Sequence, residues 1–269
     1  MRHGLYFLPA GELSDPRTLI ELGIAAEEHG WDGFFLWDHI LRPTGQPQDL
    51  ADVWVALSAV ATVTSRIRLG PMVTPTARRR PQILARQAIT LDHLSLGRLI
   101  VGLGLGVDTS GELSKFGEVT DPIARGDALD EAAELLANWW GGERATIHSS
   151  RYRIDDVELL PRPLQRPRIP MWFAARGNAA RPVRRAARYD GVFAIEIDRD
   201  GLRRVVRIVA EARGHLDGFD VAVHATQGED LSAWEADGAT WAMWSFPPGE
   251  SSRGVRARIE AGPSMHGPT

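Results

Sequence analysis

Eight times along the chain a short, continuously apolar run is followed by a longer amphipathic one, and this rhythm limits the fold more than any other feature. The apolar runs lie at residues 3–9, 33–38, 67–73, 99–105, 170–175, 191–196, 219–225 and 240–246. They lack polar alternation, as strands do when both faces of a parallel sheet are covered. Asp15-Pro16 reads as an N-cap with proline at the first helical position; Leu19, Leu22, Gly23 and Ala26 share a face and Gly30 is the stop. Further helices are expected at 51–64, from Pro81 onward, at about 125–140, and at 179–188, 200–213, 229–237 and 251–261. Eight βα units in 269 residues predict one domain, residues 1–269, folded as a (β/α)8 TIM barrel. An open doubly wound sheet would rarely need eight parallel strands. The rhythm breaks once. Residues 145–160, ATIHSSRYRIDDVELL, read as a short β-hairpin-like insertion after the fourth βα unit, followed by a proline-rich connector at 161–170.

Composition removes several functions. The absence of cysteine excludes disulfides, thiolate metal sites and a cysteine nucleophile. A net charge of −4 provides no basic field, so no nucleic-acid partner is expected. No apolar run approaches the roughly 18 residues of a membrane span. The N-terminal stretch MRHGLYFLPAGELSDP has only a six-residue apolar run, too short for a signal peptide, and a cytoplasmic location is expected.

The fourth strand raises a sharper question. Gly102, Gly104 and Gly106 alternate within it, which misses the G-x-G-x-x-G dinucleotide spacing and lies inside the strand rather than beyond it. Alternate glycines strip one face of side chains. Either a large ligand lies against that face, or a bulky residue of a neighbouring strand fills it.

The segment AITLDHLSLGRLIVGLGLG, residues 88–106, resembles the T-L-D-x-L-S-x-G-R-x-x-L-G-x-G-x-G signature of the luciferase-like flavin-dependent oxidoreductases. AAEEHGWDGFFLWDHI (25–40), SRIRLGPMVTP (65–75) and IPMWFAARGNAARPVRRAARYDGVF (169–193) resemble the same family in order and spacing. The resemblance implies a barrel that binds FMN or the deazaflavin F420 at its C-terminal mouth, where barrel chemistry sits. It makes His39 the catalytic residue, with Asp38 either orienting it or accepting backbone N–H groups of the loop. It places Thr74, where the family has a non-prolyl cis peptide or bulge behind the flavin, together with Gly104 and Gly106, as cofactor contacts. Arg176, Gly177 and Asn178 fall in the phosphate-loop region, although Ala175-Arg176 departs from the family's usual two glycines and serine.

The implied activity is oxidation or reduction of a small organic substrate, by O2-dependent monooxygenation with FMN or by hydride transfer with F420. A separate flavin or F420 reductase and a homodimer go with it, and no metal. Two other classes remain as alternatives. A non-catalytic flavin-binding barrel would share every motif. A metal-dependent TIM-barrel hydrolase would place His-x-His at the end of strand one, where this chain has Phe7-Leu8-Pro9. Residues 108–120 and 247–252 are expected to form lid loops, Glu196 and His224 to make local hydrogen bonds, and Arg78-Arg79-Arg80 to be a solvated run or an anion contact.

Overall fold

The computed structural model describes residues 1–41, 48–177, 179–226, 229–247 and 249–263. In chain order its strands are β1 (Arg2–Phe7), β2 (Gly33–Leu36), β3 (Arg68–Pro71), β4 (Thr74–Pro75), β5 (Val101–Gly104), β6 (Ala145–His148) and β7 (Arg153–Val157). After them come β8 (Met171–Arg176), β9 (Gly191–Ile195), β10 (Asp220–Ala225) and β11 (Trp241–Trp244). The helices are α1 (Pro16–Glu28), α2 (Val53–Val63), α3 (Pro81–Leu94), α4 (Pro122–Gly141), α5 (Ala180–Ala186), α6 (Arg199–Arg213), α7 (Leu231–Ala236) and α8 (Ser252–Glu260).

Nine strands form one parallel sheet in the order β3-β2-β1-β11-β10-β9-β8-β5-β4. β3 and β4 are two halves of a single stave, so the expected strand at 67–73 is interrupted at Met72-Val73, whose peptide bond is cis. The ends of the sheet meet: Leu69 bridges Leu99 in parallel, with Ile100 N–H donating to Leu69 O at 2.9 Å. Backbones approach so closely here that a Cβ on Gly70 would lie 1.7 Å from the Ile100 carbonyl oxygen. The result is the eight-stave barrel that the rhythm predicts. β6 and β7 pair antiparallel as the expected hairpin. No helix among the described residues is long and apolar enough to cross a membrane.

Two cores hold the barrel. Phe35, Met72, Ile100, Trp172, Phe193, Ala222, Trp241 and Met243 fill the lumen, with Trp172 and Trp241 rings 5.3 Å apart. A larger cluster packs the outer strand faces against the helices. α4 starts at Pro122 rather than near 125, because Asp121 caps it by accepting from Ala124 N–H. This is the device that opens α1, where Asp15 accepts from Arg17 N–H.

The signature residues of segment 88–106 pin the end of the barrel opposite the mouth. Asp92, fully buried, accepts from the Leu164 and Gln165 N–H groups and from Gln165 Nε2, which ties the connector beneath the barrel. Arg98, 7% exposed, donates to Ala61 O, Thr64 O, Thr64 Oγ1, Ile67 O and Ser95 O, all within 2.9 Å. It thereby collects carbonyls at the end of α2 that the helix itself leaves without donors.

Candidate active site

β2 ends at Leu36, so Asp38 and His39 stand on the loop beyond it, at the mouth. They face different partners. Asp38, 4% exposed, accepts from Thr74 Oγ1 at 2.8 Å, Arg79 Nη2 at 2.7 Å and Arg78 Nη2 at 3.2 Å. Arg78 also donates to the Asp38 carbonyl. The carboxylate therefore fixes Thr74 and the 3-10 turn Thr76–Arg78. Among the described residues it takes no hydrogen bond from His39 and none from a backbone N–H, so of the two roles expected, orienting the imidazole or accepting loop N–H groups, neither is the one seen.

Glu112 takes that place. Its Oε2 lies 2.8 Å from His39 Nδ1, while Oε1 accepts the N–H groups of Ile40 and Leu41 at 2.6 and 2.9 Å. The residue is 1% exposed. Burial pushes its carboxyl up, but the His39 hydrogen bond and charge and the two backbone donors outweigh this and hold it below the usual carboxylate range. Ionised, Glu112 can only accept, so His39 carries a hydrogen on Nδ1, which leaves Nε2 as the nitrogen that can take up or give a proton. No motif marks Glu112 in the sequence. The one signal is its place in the loop 108–120 expected to fold over the mouth.

Tyr6, Val73 and Ile195 pack onto the lumen cluster near the C-terminal strand ends. Burial pushes the Tyr6 phenol far up, against the pull of the Arg176 charge, so it stays protonated. The Trp37 ring is 4.9 Å from Tyr6 and 6.3 Å from His39, and its buried Nε1 has no acceptor among the described residues. His224 Nε2 lies 2.7 Å from Ser245 Oγ, and burial pushes this imidazole down despite Glu229. The local hydrogen bond expected of His224 is present.

The glycine face has an occupant. A Cβ on Gly104 would lie 2.6 Å from Val73 Cγ2, and one on Gly102 would lie 2.7 Å from Met72 Sδ. The bulky residues sit at the break between β3 and β4, so a neighbouring strand fills the stripped face and presents Val73 at its top. Gly106, with φ of 73°, turns the chain beside Pro75. Gly104→Ala is expected to dislodge Val73 and weaken flavin binding by about tenfold, as read by fluorescence titration.

The phosphate-loop residues are partly committed elsewhere. Gly177 N–H donates to Ile195 O at 2.9 Å, so that one donor is used within the fold. Arg176 lies 3.4 Å from Glu196 with both side chains exposed. Asn178 lies outside the described residues. The start of α5, where Ala179 provides no side-chain cap, and Arg176 are what this loop offers an anion.

Known proteins resemble this chain in sequence and in fold. Residues 3–227 match the luciferase-like monooxygenase family. An F420-dependent glucose-6-phosphate dehydrogenase of Nakamurella multipartita is 32% identical over 266 residues, covering 93% of this chain and 75% of that protein. Its counterpart from Microbacterium testaceum is 33% identical over 175 residues, 64% of this chain and 50% of that protein. This chain thus spans about half the length of that second curated relative. Among solved structures, an F420-dependent secondary alcohol dehydrogenase in complex with an F420-acetone adduct superposes with a TM-score of 0.81 over 98% of both chains, at 16% identity. The coenzyme F420-dependent tetrahydromethanopterin reductase of Methanopyrus kandleri gives 0.78 at 17% identity. At such identities the likeness concerns the barrel alone.

Proposed function

This chain belongs to the luciferase-like monooxygenase family, and on that premise we propose that it transfers hydride between F420 and a hydroxyl-bearing carbon of a small organic substrate. The observation that carries the reading is the His39–Glu112 pair. Taking hydride from an alcohol or hemiacetal carbon requires that the hydroxyl proton leave as well, and His39 Nε2 has a lone pair to receive it. In the reverse direction the imidazolium returns that proton to a carbonyl oxygen, while Glu112 stabilises its charge. F420, when bound, supplies a deazaflavin ring that accepts or gives a hydride. FMN, the other flavin of the family, would fit the same residues.

The mouth suits such a ring. Val73 is one wall, with Gly104 beneath it and the buried Thr74 held behind it by Asp38, and the Trp37 indole N–H is a buried donor without an acceptor among the described residues. Arg176, exposed and 3.4 Å from Glu196, is the cation of the loop that would take the cofactor phosphate. Asp38 acts here as a positioning residue, because it touches Thr74 and the arginines rather than the imidazole. Glucose 6-phosphate, the compound for which these relatives are named, is the first substrate to assay.

Titration with F420 and FMN, each oxidised and reduced, tests the assignment by fluorescence. F420 is expected to bind at micromolar concentration or tighter and to lose its absorbance when an oxidisable substrate is added. Binding of reduced FMN alone would replace hydride transfer with oxygen chemistry. Binding without turnover would leave a flavin carrier.

The same reading makes the chain a cytoplasmic homodimer served by a separate F420 reductase. Val55, Ile83 and Ile123 are 67%, 57% and 64% exposed, each in the first turn of the neighbouring helices α2, α3 and α4. Ile83→Glu is expected to sediment as a monomer where the parent chain sediments as a dimer.

A further inference from the structure

Charge divides the mouth into two halves. The staves β9, β10, β11 and β1 are consecutive in the sheet, so the loops that follow them form one arc. Those loops, residues 196–198, 226–230, 245–251 and 8–15, hold seven Asp or Glu residues and no Lys or Arg. Arg199 and Arg258, on the helices behind them, are paired with Asp237 and Glu250. Cations stand on the other side: Arg78, Arg79 and Arg80 after β4, Lys115 after β5, and Arg176 at the end of β8. Glu196 lies where the halves meet, 3.4 Å from Arg176.

The acidic arc is lined by neutral hydrogen-bonding groups. Ala222 and Met243 belong to the lumen cluster, and side chains alternate along a strand, so His224 and Ser245, two residues further on, face the mouth. His224 Nε2 lies 2.7 Å from Ser245 Oγ, and burial keeps this imidazole uncharged. On the next stave, Tyr6 packs onto the same cluster as a protonated phenol. Its hydroxyl has no hydrogen-bond partner among the described residues.

We propose that this arc is the substrate side of the mouth, where Ser245, His224 and Tyr6 select an uncharged hydroxyl compound over its phosphate ester or carboxylate. Hydroxyls and a neutral imidazole both donate and accept, as an alcohol does. An anion entering here loses water, finds no cation on the arc and meets like charge. The inference rests on the hydride-transfer reading, which leaves the cationic half to a phosphate-bearing cofactor.

Ligand-observed NMR titrations of the full chain, first without F420 and then with it, test the selection on three matched pairs. These are 2-butanol with 3-hydroxybutyrate, glycerol with glycerol 3-phosphate, and glucose with glucose 6-phosphate. The tightest-binding compound is expected to be neutral and to bind at least about tenfold tighter than its anionic partner. Ser245→Ala and Tyr6→Phe, each the loss of one oxygen, are expected to weaken it by about fivefold. Glu196→Gln, at an exposed position, is expected to narrow the gap between partners while melting like the parent chain. An anion that binds as tightly as its neutral partner and loses that binding in Ser245→Ala would overturn the proposal. So would neutral binding that both oxygen-deleting variants leave intact, or no binding of any neutral compound. Neutral binding with the expected variant pattern, but without loss of F420 absorbance, would fail the hydride-transfer reading and leave the selection standing.

Discussion

His39→Ala is expected to lower kcat for F420-dependent turnover by about 10²- to 10⁴-fold, with little change in F420 affinity. The residue stands at the mouth with one nitrogen held by a buried carboxylate, and its removal takes away the proton acceptor without emptying the flavin wall. Glu112→Gln tests the arrangement from the other side. A glutamine can still accept from Ile40 and Leu41, so the loop keeps its shape. Its amide, however, donates to Nδ1 and shifts the ring hydrogen to Nε2, where the lone pair is needed. The variant is expected to fall between the parent chain and His39→Ala in kcat, with a lower melting temperature at neutral pH because the ionised carboxylate is gone. A packing role alone would move the melting temperature and leave kcat in place.

The same carboxylate gives a pH signature with a defined sign. Glu112 is held below the ordinary value of 4.5 in the folded chain, against the push of burial, by His39 and the two backbone donors. A depressed carboxyl contributes stability that is fully present above its unfolded pKa and is lost as pH falls through the folded one. Unfolding curves of the parent chain and Glu112→Gln are therefore expected to differ at neutral pH and to converge in acid, below the ordinary carboxylate range. Curves that stay parallel throughout would remove Glu112 as an ionised partner.

The largest effect on stability is expected at Arg98, far from the chemistry. Arg98→Ala should lower the unfolding free energy by at least about 3 kcal/mol in urea titrations, because it strands several buried acceptors at once. Arg98→Lys recovers only part of this. A single ammonium cannot reach the carbonyls of Ala61, Thr64, Ile67 and Ser95 together. Whatever fraction stays folded is expected to bind flavin normally, since none of these contacts lies at the mouth.

Much of the fold could be read from residues. Every stave corresponds to an apolar run, and the hairpin sits where the rhythm stops. The start of α4 was legible too, because Asp121-Pro122 repeats the Asp15-Pro16 device, yet the periodicity alone pointed a few residues further on. The interruption of the third stave was not legible in apolar content, since Met72 and Val73 continue the run and only the backbone departs from it. The site divides in the same way. His39 stands out only when the family resemblance is added to its place after a strand. Glu112 lies 73 residues further along in a loop without period, and tertiary folding alone brings the two together. The signature that identifies the family contributes mostly scaffold: Asp92 and Arg98 bind backbone, and the glycines make room for a neighbour.

The barrel is a hoop with a clasp. Around most of its circumference adjacent staves share runs of four or five paired residues, as β8 and β9 do. Where β3 meets the lead into β5, one bridge at Leu69–Leu99 closes the ring, and two residues of β4 fasten it again beyond the break. Native-state hydrogen exchange should find the hoop opening here first, at lower free energy than between its longer-paired staves. A ligand that rested on Val73 would press on this clasp. Occupancy and closure then share one equilibrium, and anything that loosens the ring is also felt as weaker binding.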